Sequence, residues 1–414
     1  MMKEILSKPW VSRYGSLALL LLAVFPSALT AVYYSFHDHW CDYWPTFNYF
    51  VGYEYGFGGR KLIGTLLGPL MPEMVTAKHI RLFILPANLL MLFGAVWFVW
   101  RSLRGKGHSA APVAVLLALY AANPFSLFAY VHTHLSMCFM ETYMLVLVLA
   151  WLMLYVRHRG TWYYYAATLL IPVACCLIHI TFCGILLPLM LGLMVFDALD
   201  GGRLHTGKTV LYALTLALLA LLFILLWYWG GMTVDLDTLY DYIASRANQD
   251  VLPTKDGLRM LYYTGNTDAS WMAGFSPRFV VELLMLLPLM ALLAAPWVVA
   301  ARQTNDRLER WRYRLPVLIV LLLTVPVFFR ATDYSRWWVC WTFSLAMLPL
   351  AAFATGDKGM ERALQSLWNF LKRHWYLPLL LGLYLLQLHN SNRQFFDGMK
   401  ESAELIDFIS SFFK

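Results

Sequence analysis

"KTVLYALTLALLALLFILLWYW", residues 208–229, carries one charge, at its first position, and none in the 21 residues that follow. At about 1.5 Å of rise per residue the run would form a helix roughly 33 Å long, enough to cross a hydrocarbon core of about 30 Å. Similar stretches recur along the chain, and the reading that follows is an all-α, polytopic transmembrane helix bundle. Eleven spans are expected: residues 16–34, 79–100, 110–131, 135–156, 162–178, 183–196, 208–229, 279–301, 315–329, 338–355 and 375–388. The fifth and sixth are short and break at "HITFCG", which a membrane tolerates only where protein or water meets the freed backbone groups. Strand-length alternating segments are absent, which argues against a barrel.

Composition agrees. Of 414 residues 60% are hydrophobic and 14% charged, against about 25% charged in an average soluble domain, and the mean hydropathy is +0.59. The first apolar run continues through "VYYSF", too long for the core of a cleaved leader. It is therefore taken as the first span.

Cytoplasmic loops carry an excess of Lys and Arg near span ends. With the N-terminus inside, "RSLRGKGH", "RHRG", "GGRLHTGK", "ARQTNDRLERWRYR" and "GDKGMERALQSLWNFLKR" all fall inside. That placement puts 19 of the 32 Lys and Arg inside, together with 7 of the 24 acids. The net charge of +8 then divides as +12 inside and −4 outside. A basic balance of this kind reflects topology, so no nucleic-acid partner is expected; the partner it implies is the lipid bilayer. The six cysteines, in no CxxC framework, read as small apolar residues.

One membrane domain, 1–414, is expected. Three outward segments are long enough to carry chemistry: a first loop 36–78, a second loop 230–278 and a C-terminal tail 389–414. The first loop reads as one or two interfacial helices, with "FGGRKLIG" placing Arg60 and Lys61 after a glycine pair. In the second, Leu236, Leu239, Tyr240 and Ile243 recur at helical spacing. The tail is amphipathic.

Three outward clusters stand out. "HDHWCDYW" (37–44) follows the first span and holds Asp38 and Asp42, four apart and so on one face if helical. Such a pair can act as a general base or hold a divalent cation through oxygen; the plain alternative is a solvated turn. His37 and His39 lack the third ligand of a zinc site and could instead donate to phosphate or sugar oxygens. "NPFSLFAYVHTHLSMCFMETYMLVLVLAW" (123–151) puts His132 and His134 at the outer boundary and Glu141 about two turns into the fourth span. An acid there is costly and faces the protein interior, either for function or for packing. His179 sits at the break between the short spans. "FFRATDYSRWWVCW" (328–341) brings Arg330, Asp333 and Arg336 to the outer end of the ninth span, where arginine suits bidentate contacts to a phosphate or snorkels beside an aromatic belt.

The layout resembles the multi-spanning glycosyltransferases that use polyprenyl-phosphate-linked sugars, the GT-C superfamily. The resemblance rests on "HDHWCD" just after the first span, on the acid within 123–151, and on "YSRWWVCWTFSLAMLPLA". It implies Asp38 as the catalytic acid position, Asp42 as second and Glu54 as a more distant third; Glu141 matches the second family acid and Arg336 the late arginine. It also implies a sugar leaving its lipid phosphate for the hydroxyl of a glycan or lipid acceptor. Asp38 would serve as base, while Arg336, Arg60 and Lys61 stabilise the departing phosphate. A divalent cation, Mg or Mn, is admitted on Asp38 and Asp42 without being required. Trp40, Trp44, Tyr53 and Trp271 offer platforms for sugar rings. The expected location is the bacterial inner membrane, with the active face periplasmic or extracellular, in polysaccharide biosynthesis of the cell envelope. Here the acids are four apart instead of adjacent, and no large soluble domain follows the last span. The competing readings are a polymerase or ligase of lipid-linked polysaccharide, a lipid or solute transporter, which would show broken helices in repeated halves, and a purely structural membrane subunit.

Overall fold

The computed structural model describes residues 9–37, 43–134, 140–263, 277–330 and 334–395. Among them there is no β-strand; the only extended pairing is an isolated parallel bridge between Val75 and Ala247. The chain is an all-α integral membrane protein. Among the described residues seven helices, not eleven, are long and apolar enough to cross a bilayer: Ala77–Leu103, Ala111–Val131, Glu141–His158, Thr206–Tyr228, Phe279–Arg302, Arg307–Phe329 and Tyr334–Ala354. Leu20–Phe36, Trp162–Ile178 and Tyr376–Leu388 are shorter apolar helices. Of the four expected spans outside this set, 16–34, 162–178 and 375–388 match the shorter apolar helices, and the fourth is broken. The expected span 183–196 resolves into the single turn Phe182–Ile185 and the helix Leu187–Ala198, about 18 Å by helical rise and well short of the hydrocarbon core. The break at "HITFCG" is where the sequence puts it.

The contacts divide the chain into two compact units. Each is assembled from separated segments, which is why no linker marks a boundary in the sequence. The first comprises Met1–Arg104, Val131–Met190 and His205–Ala269; the second comprises Gly105–Tyr130, Leu191–Leu204 and Ser270–Lys414.

The first unit contains helices α1 (Pro9–His37), α2 (Tyr43–Phe50), α3 (Leu62–Leu67) and α4 (Ala77–Leu103). After the segment that belongs to the second unit, with α5 (Ala111–Ala122) and the first half of α6 (Leu127–His134), it continues with α7 (Glu141–His158) and α8 (Trp162–Ile178). The helix α9 (Leu187–Ala198) passes into the second unit, and α10 (Thr206–Tyr228) and α11 (Leu236–Arg246) return to the first. Helix α4 packs on α1 and α7, and α8 packs on α7 and α10. Direction follows from paired residues. Thr142 donates to Asn88 at 3.3 Å, and Gly94 faces Leu149 and Met153, so α4 and α7 run parallel. Trp151 Nε1 donates to Thr168 at 3.0 Å while the Tyr155 and Tyr164 rings lie 6.1 Å apart, so α7 and α8 are antiparallel.

Both loops contain helices where the sequence expects them, and α2 is buried from Thr46 to Phe50. Gly64 lets α3 lie on α2: a Cβ there would meet Val51 O at 2.2 Å and Asn48 O at 3.1 Å, both backbone atoms that cannot rotate away. Gly64→Ala is expected to cost about 1–3 kcal/mol through overpacking, read as a fall in the thermal midpoint of the detergent-solubilised protein. An unchanged midpoint would show that α2 and α3 can separate freely.

In the second unit α12 (Pro277–Arg302), α13 (Arg307–Arg330), α14 (Tyr334–Ala354), α15 (Lys358–Arg373) and α16 (Tyr376–Phe395) complete the chain. Helix α14 is buried at Tyr334 and from Trp337 through Phe353, so it is the core helix of that unit and presents no lipid face. Its Trp338 and Trp341 rings stack at 5.1 Å and pack with Phe328 and Phe279. The strongly amphipathic α15 buries Met360, Ala363, Leu364, Leu367 and Leu371, a stripe at spacings of three and four residues.

Candidate functional site: a bonded layer of two loops

The two long loops of the first unit are joined into one layer. Gly231 N–H donates to Phe57 O at 2.7 Å and Thr233 N–H to Tyr55 O at 3.0 Å. Farther along, Val75 N–H donates to Arg246 O at 2.6 Å and Asn248 N–H to Val75 O at 2.8 Å. Asp250 Oδ2 accepts from Ala77 N–H at 3.0 Å, and Thr46 donates to Val251 O at 3.3 Å. The Tyr55 and Tyr242 rings meet at 5.1 Å. Gly56 makes the close approach possible: its φ is +109°, and a Cβ there would lie 2.7 Å from Gly231 O.

Lys61 locks this junction. Its ammonium is almost wholly buried and donates to Gly56 O at 2.7 Å, Gly231 O at 2.9 Å and Tyr55 O at 3.3 Å. Burial pushes its pKa down to about 8, opposed by the nearby Glu54 carboxylate. The sequence suggests Lys61 as a cation for a departing phosphate; in the fold its three donors serve backbone carbonyls. Lys61→Met would leave those carbonyls converging on an apolar tip. Amide exchange at Gly231 and Thr233 is expected to rise by one to two powers of ten, corresponding to roughly 1.5–3 kcal/mol for the lost charged hydrogen bonds. Unchanged exchange would mean that the backbone pairs alone hold the layer.

Arg60, half-buried, takes a left-handed conformation with φ +67°, at a cost of roughly 1–2 kcal/mol for a residue with a Cβ. Its N–H donates to Leu177 O at 3.1 Å, which ties the loop layer to the last turn of α8. The buried Tyr262 hydroxyl has a pKa raised by burial and drawn back by Arg60. Tyr53 stacks on Phe57 at 6.3 Å, and its N–H donates to the Thr65 hydroxyl oxygen at 2.8 Å. Burial raises its hydroxyl to about 12, helped by the adjacent Cys176. Glu54 is exposed in the single turn Tyr53–Tyr55.

Glu141 is buried, with 1% of its surface exposed, and it is the first residue of α7. The expected position two turns into a span is thereby corrected: the helix begins at the acid. Because Thr142 pairs with Asn88, eleven residues into α4, Glu141 lies roughly 16 Å below the loop-bearing end of α4 by helical rise. Helix α2 reaches down to the same place, where the hydroxyls of Tyr49 and Tyr143 meet at 3.3 Å. The positive end of the α7 dipole favours a carboxylate at this position. Arg81, with 1% exposure, lies seven residues before Asn88 and so on nearly the same face of α4.

His179 caps α8 in an extended conformation and is buried. Its Nδ1 accepts from Thr181 N–H at 3.2 Å and pairs with the Thr181 hydroxyl at 2.7 Å, which leaves the ring proton for Nε2. Asp38, His39, Asp42, Trp40, Trp271 and Asp333 lie outside the described residues, as do the side chains of His37, Trp44, His132, His134 and Arg330. Thus Glu54, Arg60, Lys61, Glu141 and His179 belong to the first unit, and Arg336 to the second, in the first turn of α14.

Two buried polar positions of the second unit are additional to those the sequence suggested. Glu282 on α12 is 2% exposed and accepts a short hydrogen bond from Trp338 Nε1. Its signal was available, since it is an acid inside an apolar run. Arg312 is buried among Asp200, Glu309 and Asp357 at 2.7–2.8 Å, at an end of α13 that the sequence treats as a basic connector. Among the described residues no group of three or more His, Cys, Asp or Glu is arranged to hold a metal ion. A cavity of about 440 Å³ lined by Tyr165, His205, Thr206, Gly207, Lys208 and Leu211 lies at the start of α10, the end of that helix away from the loop layer.

No family model, curated protein or solved structure matches the chain.

Proposed function

We propose that the chain is a membrane glycosyltransferase that moves a sugar from a polyprenyl-phosphate donor to a glycan or lipid-linked acceptor. In this reading the loop layer faces the periplasm of a bacterial inner membrane and the N-terminus faces the cytoplasm. The observation that carries the reading is the sunken Glu141. It is a buried acid roughly 16 Å below the end of α4, reached by α2 of the first loop, and the resemblance places an acid there.

Asp38, whose chain neighbourhood opens directly into α2, takes the proton of the acceptor hydroxyl as that oxygen attacks the anomeric carbon. The bond from that carbon to the phosphate oxygen breaks, and the phosphate leaves with the electron pair. Because Lys61 is committed to the loop junction, Arg60 is the loop cation this reading assigns to the phosphate, which it would meet as a bidentate donor. His179, fixed by Thr181, donates from Nε2 to an oxygen of the sugar or phosphate. A divalent cation, if used, would be held by Asp38 and Asp42 and would supply charge neutralisation of the phosphate.

The test uses proteoliposomes containing the purified full-length chain and a panel of labelled polyprenyl-phospho-sugars. Release of polyprenyl phosphate above that of empty liposomes is expected with at least one donor. Movement of intact donor between leaflets without bond cleavage would replace the transferase by a transporter, and a ladder of lipid-linked oligosaccharide would replace it by a polymerase.

A further inference from the structure

The break after α8 brings two thiols together. Cys176 is on the last turn of α8 and Cys183 on the single turn Phe182–Ile185, with their sulfurs 3.9 Å apart. Between them His179 is extended, so the pair is joined by a turn and not by continuous helix. A disulfide has its sulfurs about 2.05 Å apart, an approach that small side-chain rotations across such a turn can supply. Cys183 is partly exposed and Cys176 fully buried, which sets an order of reaction.

We propose that Cys176 and Cys183 form a redox-responsive dithiol that closes to a disulfide across the α8 break, with a small-molecule or protein disulfide as oxidant. The Cys183 thiolate attacks one sulfur of the oxidant, forming a mixed disulfide and releasing one thiol. Cys176 then gives up its proton and attacks the Cys183 sulfur, expelling the second thiol. The oxidant's disulfide is reduced to two thiols, and the two protein thiols are oxidised by two electrons. The new ring encloses His179 and fixes the last turn of α8, whose Leu177 carbonyl holds Arg60 N–H. The redox state of the pair therefore reaches the loop layer, whether or not the chain transfers sugar.

The experiment treats native membranes bearing the full chain with oxidised glutathione. The protein is then denatured in the presence of excess light alkylating reagent so that every free thiol is blocked, the disulfides are reduced, and the newly released thiols are labelled with a heavy alkylating reagent for peptide mapping. Heavy label is expected on Cys176 and Cys183 together, absent from both after Cys183→Ser and retained after Cys175→Ser. Amide exchange at Arg60 should slow by about tenfold in the oxidised protein, a local readout that mere labelling would not give. Heavy label that pairs Cys183 with Cys175, Cys41 or Cys138, or that is absent from Cys183 at oxidant levels where other cysteines have reacted, would overturn the proposal. Should Cys176→Ser not accumulate, the wild-type map and Cys183→Ser decide the matter alone.

Discussion

Asp38→Asn is expected to lower donor cleavage by a factor of about 10² to 10⁴, the usual contribution of a positioned general base. The amide keeps the size and the hydrogen-bonding reach of the side chain but cannot accept the acceptor's proton, so the loss should fall on kcat with KM nearly unchanged. Glu141→Gln separates two roles for the second acid. If the carboxylate charge orients a cation or the sugar during reaction, Gln also loses activity while the thermal midpoint holds. If the acid serves only as a favourable charge at the start of α7, activity survives and the cost is roughly 0.3–1 kcal/mol of stability. Near-full activity in Asp38→Asn would favour the polymerase or ligase reading, in which outer arginines replace a carboxylate base. Assays of Asp42→Asn in parallel locate the base within the pair.

Arg312→Met should produce the largest loss of stability in the second unit, about 3–5 kcal/mol. The guanidinium is 4% exposed and holds Asp200 Oδ1 at 2.8 Å, Glu309 Oε1 at 2.7 Å and Asp357 Oδ2 at 2.8 Å. Its Nε donates to Phe196 O at 3.0 Å, and it lies 3.9 Å over the Phe196 ring. Asp357 is the partner that matters most, because it is only 8% exposed and also caps α15 by accepting from Met360 N–H at 2.7 Å. Removing the arginine leaves that carboxylate buried without its counter-charge, whereas Asp200, at 41% exposure, can turn to solvent. Unfolding in detergent should therefore occur several degrees lower in Arg312→Met. Asp357→Asn in the same background should recover part of the loss, and a loss equal in single and double variants would mean that the uncompensated Asp357 charge is not its source.

Helix type and the position of the loops were legible because they depend on local properties. The backbone N–H and C=O groups of a run such as 208–229 find no water in lipid, and a helix satisfies them within the segment itself. The break at "HITFCG" and the helix of the second loop were legible for the same reason, one from its polar and glycine residues and the other from the spacing of Leu239 and Ile243, both buried in the fold. The span count was less legible. Hydropathy cannot tell an uninterrupted helix from one divided at Leu186, between the turn Phe182–Ile185 and the helix Leu187–Ala198.

The identity of charged groups that face inward was not local at all. In the sequence Lys61 and Arg60 are equivalent adjacent cations, and Arg312 is one of several arginines in a basic connector. Which of the first two spends its donors on carbonyls depends on Gly231, 170 residues away, and Arg312 is buried by Asp200 and Asp357, from two other elements. By itself the sequence determined that this chain lives in a bilayer as helices, because burial of apolar surface and backbone hydrogen bonding act within each segment. Only the tertiary structure decided which polar side chains hold the fold. A charge is defined by the partners around it, and those arrive from distant parts of the chain.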